Sequence, residues 1–249
     1  NCTSLTNVTI GNSVTSIGYD AFSSCTSLAS VTIGNSVTSI GQDVFSNCSN
    51  LKSVNYNGTK VNWKSISGYS NVSQIIKCTD GIYANSNTII IDSVKYRLND
   101  DYTAQVISYS GTPENITIPE SVTYEGVTFK VTSIGSSAFK DCTSLTSITI
   151  PDSVTRIDNK AFYNCTSLIS VTIPNSVKFI DESAFSDCTS LTSVTIPDSV
   201  TSIGNSAFYN CTRLTSVTIG NSVTSIGSSA FSGCTSLTNV NYSGTKSQW

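Results

Sequence analysis

The chain has 249 residues, a net charge of −3 and only 12% charged residues, with no histidine and no methionine. Its lysines and arginines are scattered singly, which excludes the concentrated basic patch that nucleic acid or an anionic membrane surface requires. The absence of histidine removes the commonest general base and the commonest metal ligand, so we predict no enzyme activity and no cofactor. No apolar run approaches the ~18 residues of a membrane span, so we predict no membrane insertion.

A 23-residue repeat organises most of the chain, and cysteines mark it. The cysteines that share this spacing are Cys2, Cys25 and Cys48, and then Cys142, Cys165, Cys188, Cys211 and Cys234. A leucine column and a phenylalanine column keep the same step. One unit of this length cannot bury its apolar face alone, so stacked units are expected to share a continuous core. The period therefore predicts a solenoid.

The unit that begins at Cys188 shows how each coil is built. Val194-Thr195-Ile196 alternates apolar and polar residues, which predicts a short strand, and Pro197-Asp198 predicts the turn after it. The β-branched segment 200–203 predicts an extended or 3₁₀ conformation, and Gly204 is predicted to permit a second corner. The residues predicted to face inward are Cys188, Leu191, Val194, Ile196, Val200, Ile203, Ala207 and Phe208.

The pattern C-x-x-L-x-x-V-x-I-P-x-S-V-x-x-I-G-x-x-A-F-x-x covers residues 1–55 and about 131–241. It resembles the BspA-like leucine-rich repeats, also called the Treponema pallidum type. The resemblance implies a leucine-rich repeat solenoid with a parallel sheet on its concave side, an extended or 3₁₀ convex side and little α-helix. It also implies a secreted or cell-surface protein, because members of that family are mostly of this kind and several are thought to bind host extracellular proteins.

Residues 56–130 break the period and separate two arrays. The segment 51–63 is echoed by 237–249, which predicts that both arrays end in the same cap. Residues 88–111 predict a β-hairpin around Asn99-Asp100-Asp101. We therefore predict a first domain at 1–83, which is the end of one array with its cap. The predicted second domain is 84–249, with an N-terminal hairpin cap at 84–130, repeats at 131–236 and a truncated C-terminal cap at 237–249.

The caps are expected to cover the exposed ends of the core. Four apolar residues are the predicted lid of the first array: Tyr56, Trp63, Ile75 and Ile76. A small inserted hairpin is predicted with its tip at Glu125-Gly126, and the two domains are predicted to join near residues 81–87. The chain opens within a repeat, so we expect it to be a piece of a longer protein whose signal and anchor lie elsewhere.

The cysteine column has three interpretations: metal ligands, disulfides or buried thiols. No C-x-x-C motif and no histidine is present, which argues against zinc. Neighbouring cysteines would be ~5 Å apart, within disulfide range, but their stacked side chains would point the same way. We therefore predict buried free thiols, and we place Cys78, outside the column, in the interior of the first cap.

The outward positions of the predicted strands carry a row of hydroxyl side chains. The candidate binding residues are Thr32, Thr149, Ser170, Thr172, Ser193, Thr195, Ser216 and Thr218. The alternative is a solvated strand face, because threonine favours β structure and the row has few arginine or aromatic anchors.

Repetition with few catalytic groups predicts a non-enzymatic, adhesin-like module that binds extracellular host or matrix proteins or glycans. We expect it to be monomeric and to belong to a secreted or cell-surface protein. The alternative function is a structural spacer or stalk that displays another domain.

Overall fold

The computed structural model describes residues 2–83, 88–112, 114–124 and 126–244. The chain divides into two compact units, one of Asn1–Asn87, Leu98–Thr103 and Thr123–Phe129, the other of Thr88–Arg97, Ala104–Val122 and Lys130–Trp249. The predicted domain boundary at residues 83 and 84 stays a prediction. Residues 84–87 of the junction predicted near 81–87, and the last residues of the predicted C-terminal cap, 245–249, lie outside the described residues.

The first unit contains stacked coils joined by parallel strands. Its strands are β1 Asn7–Ile10, β2 Ser16–Ile17, β3 Ser30–Ile33, β4 Ser39–Ile40, β5 Ser53–Tyr56, β6 Ile75–Cys78 and β7 Gly81–Tyr83. One sheet has the order β1-β3-β5-β6-β7 and the other is β2-β4. Val8 pairs with Val31, and Val31 pairs with Val54. The 23-residue period of the sequence is therefore the register of the ladder.

The cap of the first unit closes its core with large side chains. The helix α1, Lys60–Ser65, begins at Thr59, whose hydroxyl accepts a hydrogen bond from the Asn62 backbone N–H. This helix buries Trp63, which meets the Tyr56 ring edge-on at 5.1 Å. A 3₁₀ turn, Tyr69–Asn71, leads to β6, which pairs in parallel with β5 and buries Ile75 and Ile76. The four-residue lid is confirmed, whereas the helix itself was not predicted.

The remaining strands form the second series of coils and its flanking hairpins. They are β8 Thr88–Ile91, β9 Val94–Leu98, β10 Thr103–Tyr109, β11 Asn115–Thr117, β12 Ser121–Tyr124, β13 Val127–Ile134, β14 Ser147–Thr149, β15 Arg156–Ile157, β16 Ser170–Thr172, β17 Phe179–Ile180, β18 Ser193–Ile196, β19 Ser202–Ile203, β20 Ser216–Ile219, β21 Ser225–Ile226 and β22 Asn239–Tyr242.

Each coil of this series contributes one strand to each of two faces. The front sheet consists of the ladders β11-β14-β16 and β18-β20-β22. The back sheet has the order β21-β19-β17-β15-β13-β10-β9-β8, with β12 beside β13. The parallel front strands and the solenoid were predicted. The back sheet was predicted only as extended or 3₁₀ segments, because two-residue strands such as β19 leave too little alternation to detect.

The core lies between the two sheets and repeats from coil to coil. All eight residues predicted to face inward in the unit from Cys188 are at most 3% exposed. The phenylalanines stack face to face, with ring centroids 5.0 Å apart between Phe162 and Phe185 and 5.3 Å apart between Phe185 and Phe208. The predicted apolar columns are therefore the core of the solenoid.

The turn predicted at Pro197-Asp198 is present, and the Val200 backbone N–H donates to the Pro197 carbonyl across it, but the second corner of the coil differs from the prediction. Gly204 does not have a positive φ, and an added Cβ there would lie 2.5 Å from the backbone carbon of Asp181. Glycine at this position permits close approach of the preceding coil. The left-handed corner residues are instead Ser206 and Asn210, with φ of 53° and 56°. Asparagine and serine there hold a conformation that most residues avoid.

The predicted hairpin is part of a three-stranded arrangement, β8-β9-β10. The predicted turn at residues 99–101 joins β9 and β10. A second turn, Asp92-Ser93, joins the antiparallel strands β8 and β9, and both of its residues have positive φ. Such a pair suits a two-residue hairpin turn, a signal that the sequence interpretation missed. Strand β12 pairs with β13, as predicted for the inserted hairpin; Glu125 at its tip lies outside the described residues.

Candidate functional site

The predicted binding residues lie on outward positions of parallel strands, in register. Ser170 and Thr172 on β16 pair with Ser147 and Thr149 on β14. Likewise Ser193 and Thr195 on β18 pair with Ser216 and Thr218 on β20. The structure thus collects seven of the eight predicted residues on the front sheet of the second unit. Thr32 belongs to the first unit, on β3, where it pairs with Thr9 and Asn55.

The alternation of each strand explains why these hydroxyls face outward. Val171, Val194 and Val217, which lie between them, are at most 8% exposed. Thr149, Ser170, Thr172, Ser193 and Thr195 are exposed, whereas Ser216, Thr218 and Thr32 are half-buried.

A surface groove of about 650 Å³ lies along this face. We call it the front groove. Its polar lining includes five predicted residues, and three turn residues that sequence reasoning did not assign to the site: Ser170, Thr172, Ser193, Thr195, Thr218, Asp152, Asn175 and Asp198. Each turn residue lies three positions after the threonine of its strand in sequence, which is the signal that would have found it. No arginine, lysine or aromatic residue is among the groove's lining residues.

The front groove therefore offers hydroxyl groups, which donate and accept hydrogen bonds, and carboxylates, which accept them. Its carboxylates belong to an alternating column along the coils, Asp152, Asn175, Asp198 and Asn221. The Asn221 backbone N–H donates to Asp198 at 2.8 Å. Alternation keeps like charges two coils apart, roughly 10 Å at the strand spacing, which limits their repulsion.

A second column of this kind lies at the left-handed corners, with Asp141, Asn164, Asp187 and Asn210 on successive coils. The Asn164 amide donates to Asp141 at 2.8 Å, and the Asn210 amide donates to Asp187 at the same distance. Each carboxylate therefore has an amide donor on the following coil. These acidic residues therefore stabilise the stacking of the coils.

The cysteine column consists of free thiols, and most of them are buried. Cys25, Cys48, Cys165, Cys188 and Cys211 are buried, whereas Cys142 and Cys234 are half-buried and Cys2 is exposed. The Cys188 thiol donates to the Phe162 carbonyl at 3.2 Å, and the equivalent bond recurs between neighbouring coils. Cys78 is half-buried rather than interior. Among the described residues, no cluster of three or more histidine, cysteine or acidic side chains can hold a metal ion.

Burial governs the titration of the Cys188 thiol. It raises the pKa of Cys188 to about 12, whereas a thiol in an unfolded chain titrates near pH ~8.5. The folded state thus binds the thiol proton more tightly than the unfolded chain does. The protonated thiol therefore contributes fully to the free energy of unfolding below about pH 8.5, and this contribution decreases as the pH rises toward 12. We expect the free energy of unfolding, measured by urea denaturation, to fall between pH 8 and pH 10, and to fall less steeply in Cys188→Ala. Equal slopes in the two proteins would contradict this assignment.

The chain forms a leucine-rich repeat solenoid. Its coils of 23 residues are stacked, their strands are parallel and pair in a register of one repeat, and they share columns of leucine and phenylalanine. The sequence profile of the BspA type Leucine rich repeat region matches residues 1–99 and 132–248, in six copies. The chain belongs to this family. The family consists of leucine-rich repeat proteins without catalytic function, and they are typically surface proteins.

Solved structures show the same fold. A leucine-rich cell surface protein from Faecalibacterium prausnitzii is 27% identical with a TM-score of 0.60, covering 98% of this chain and 81% of that one. A leucine-rich repeat protein from Bacteroides ovatus is 37% identical with a TM-score of 0.58, covering 61% and 40% respectively. The leucine-rich repeat protein of T. pallidum is 31% identical with a TM-score of 0.57, covering 61% and 70%. No curated protein sequence matches the chain.

In the part of the chain that the structure describes, no helix has the length and apolar character needed to span a bilayer.

Proposed function

We propose that this chain is a non-enzymatic binding module of a secreted or cell-surface protein, adhesin-like, which binds an extracellular protein or glycan through the front groove. The observation that carries the proposal is the groove itself, which brings five predicted hydroxyl residues and the carboxylates of Asp152 and Asp198 onto one surface. Membership of a family of typical surface proteins supports the location. A solenoid binds naturally in this way, because its repeats build an extended surface.

The chemistry of the groove suits a polar, neutral ligand surface. Hydroxyl groups that are one coil apart can form hydrogen bonds with successive polar groups of an extended ligand. The two carboxylates can accept hydrogen bonds from the ligand's donors. The lining lacks the arginine and aromatic residues that usually dominate tight interfaces. Affinity is therefore expected to come from many modest contacts along the groove.

The test replaces four threonines of the front sheet with lysine: Thr149, Thr172, Thr195 and Thr218. Long charged side chains would fill the groove and repel one another, so binding to a panel of purified extracellular matrix proteins and glycans is expected to be lost. Surface plasmon resonance measures the binding, and circular dichroism with thermal unfolding checks the fold. A matched control carries four lysines at the turn positions Ser144, Ser167, Ser190 and Ser236, a column where Arg213 is already present and exposed.

A spacer or stalk is the second candidate function, favoured by the lack of anchor residues in the groove. If the front-sheet lysine variant keeps its fold and binds as well as the control does, the groove is not a binding surface. The spacer function would then replace the proposal.

A further inference from the structure

The outward row of the back sheet breaks its own repeat at two consecutive coils. Successive strands place Ser133, Arg156, Phe179, Ser202 and Ser225 in one register. The first unit has Ser16 and Ser39 at the equivalent position. Serine is thus the ordinary residue of this column, and an arginine and a phenylalanine replace it side by side.

A second change accompanies the first. Asp158 and Asp181 each follow the isoleucine of their back-sheet strand, a position at which the other coils have glycine: Gly18, Gly41, Gly135, Gly204 and Gly227. The four departures from the repeat, at Arg156, Asp158, Phe179 and Asp181, therefore belong to two neighbouring coils and to one surface. We call these four residues the back-sheet cluster.

The polar members of the back-sheet cluster hold one another in place. Arg156 Nε lies 2.6 Å from Asp158 Oδ1, and its terminal nitrogen lies 2.5 Å from Asp181 Oδ2. The Gln105 amide donates to the other oxygen of Asp158 at 2.9 Å. Two carboxylates beside one guanidinium raise the pKa of Arg156, and the largest cause is the hydrogen bond that Arg156 donates to Asp181. These planar groups are therefore ordered before any ligand arrives, which lowers the entropy cost of binding.

The aromatic member remains accessible. Phe179 is 44% exposed, and the Arg156 guanidinium carbon lies 5.8 Å from its ring centroid. On the opposite side its strand neighbour is Ser202, whose side chain is too short to cover a phenyl ring. The ring is thus partly exposed with a cation beside it, in a row whose other residues apart from Arg156 are serines.

We infer that the back-sheet cluster is a glycan subsite in which a pyranose ring stacks on Phe179. A pyranose presents C–H groups on one face, which pack on an aromatic ring, and hydroxyls at its rim, which bond to carboxylates, guanidinium and serine. A protein partner fits less well, because protein hot spots cluster several large anchors, and Phe179 is the only aromatic residue of this row. The inference goes beyond the proposed function, because it places a glycan on another surface than the front groove.

The test begins with the full chain on a printed array of oligosaccharides, followed by NMR titration with the strongest one. We expect saturable binding, with chemical-shift changes at Phe179 and at the Arg156 side chain. Phe179→Ser introduces the residue that the following coil carries at this position, Ser202, so its fold is expected to be retained. It should weaken binding about tenfold or more, since an aromatic platform contributes on the order of 1.4 kcal/mol. Phe179→Leu keeps apolar area without the ring and should also weaken binding.

The matched control is Ile169→Thr, which alters an exposed apolar residue beside the front sheet to the threonine found at 146, 192 and 215. It should bind as the parent does. The inference is overturned if no oligosaccharide binds, or if Phe179→Ser binds as tightly as the parent. It is also overturned if glycan binding is lost only in the front-sheet lysine variant, a result that would support the proposed function. Loss of glycan binding in Phe179→Ser, with matrix-protein binding kept, would support the subsite.

Discussion

Phe208→Ala is expected to lower the free energy of unfolding by about 3–5 kcal/mol, the usual cost of removing a buried phenyl ring. Phe208 is fully buried and stacks between Phe185 and Phe231, with centroids 5.3 Å from each. Each coil of a solenoid contacts its two neighbours, so a cavity in the phenylalanine column weakens two interfaces at once. Urea denaturation followed by circular dichroism measures the loss.

The neighbouring residue provides the control. Tyr209 follows Phe208 in sequence but is 43% exposed, and the equivalent residue of the preceding coil is Ser186. Tyr209→Ser is therefore expected to change stability by no more than ~0.5 kcal/mol, as is usual for surface substitutions. If both variants lost equally little, the phenylalanine column would not be the core.

The sequence was sufficient to predict the repeat and the core columns, since the same apolar residues recur in every coil. Val194 and Ile196 are predicted to face inward because the alternation of apolar and polar residues along one strand repeats in every coil. The left-handed corners at Ser206 and Asn210 were not predicted, because the prediction placed the second corner at Gly204. Glycine marks either backbone freedom or close approach, and only three-dimensional contacts distinguish the two.

The binding surfaces were less predictable than the fold. The hydroxyl row follows from alternation, but the front groove also depends on Asp152, Asn175 and Asp198, which stacking brings beside it. The back-sheet cluster is visible in the sequence only as exceptions, an arginine, a phenylalanine and two aspartates where serine and glycine are usual. Their grouping depends on which residues of successive coils become neighbours, and that is set by the register of the ladder.

Trp63→Ala should also cost about 3–5 kcal/mol, because this side chain fills the end of the first array. Trp63 is fully buried, and its ring meets Tyr56 edge-on. With alanine there, the cap would leave a cavity over Tyr56. Thermal unfolding and urea denaturation of the variant would measure the loss.

Trp63→Phe distinguishes packing from hydrogen bonding at the same site. Within the described residues, the Trp63 indole N–H is buried and has no hydrogen-bond partner. Burying an unpaired donor costs about 1–3 kcal/mol, so phenylalanine would relieve that cost while losing part of the ring volume. The two effects oppose each other, and we expect a net change of about 1 kcal/mol or less. A loss as large as that of Trp63→Ala would show that ring volume alone governs this cap. The small loss would show that the cap needs an aromatic ring here but gains nothing from the indole nitrogen.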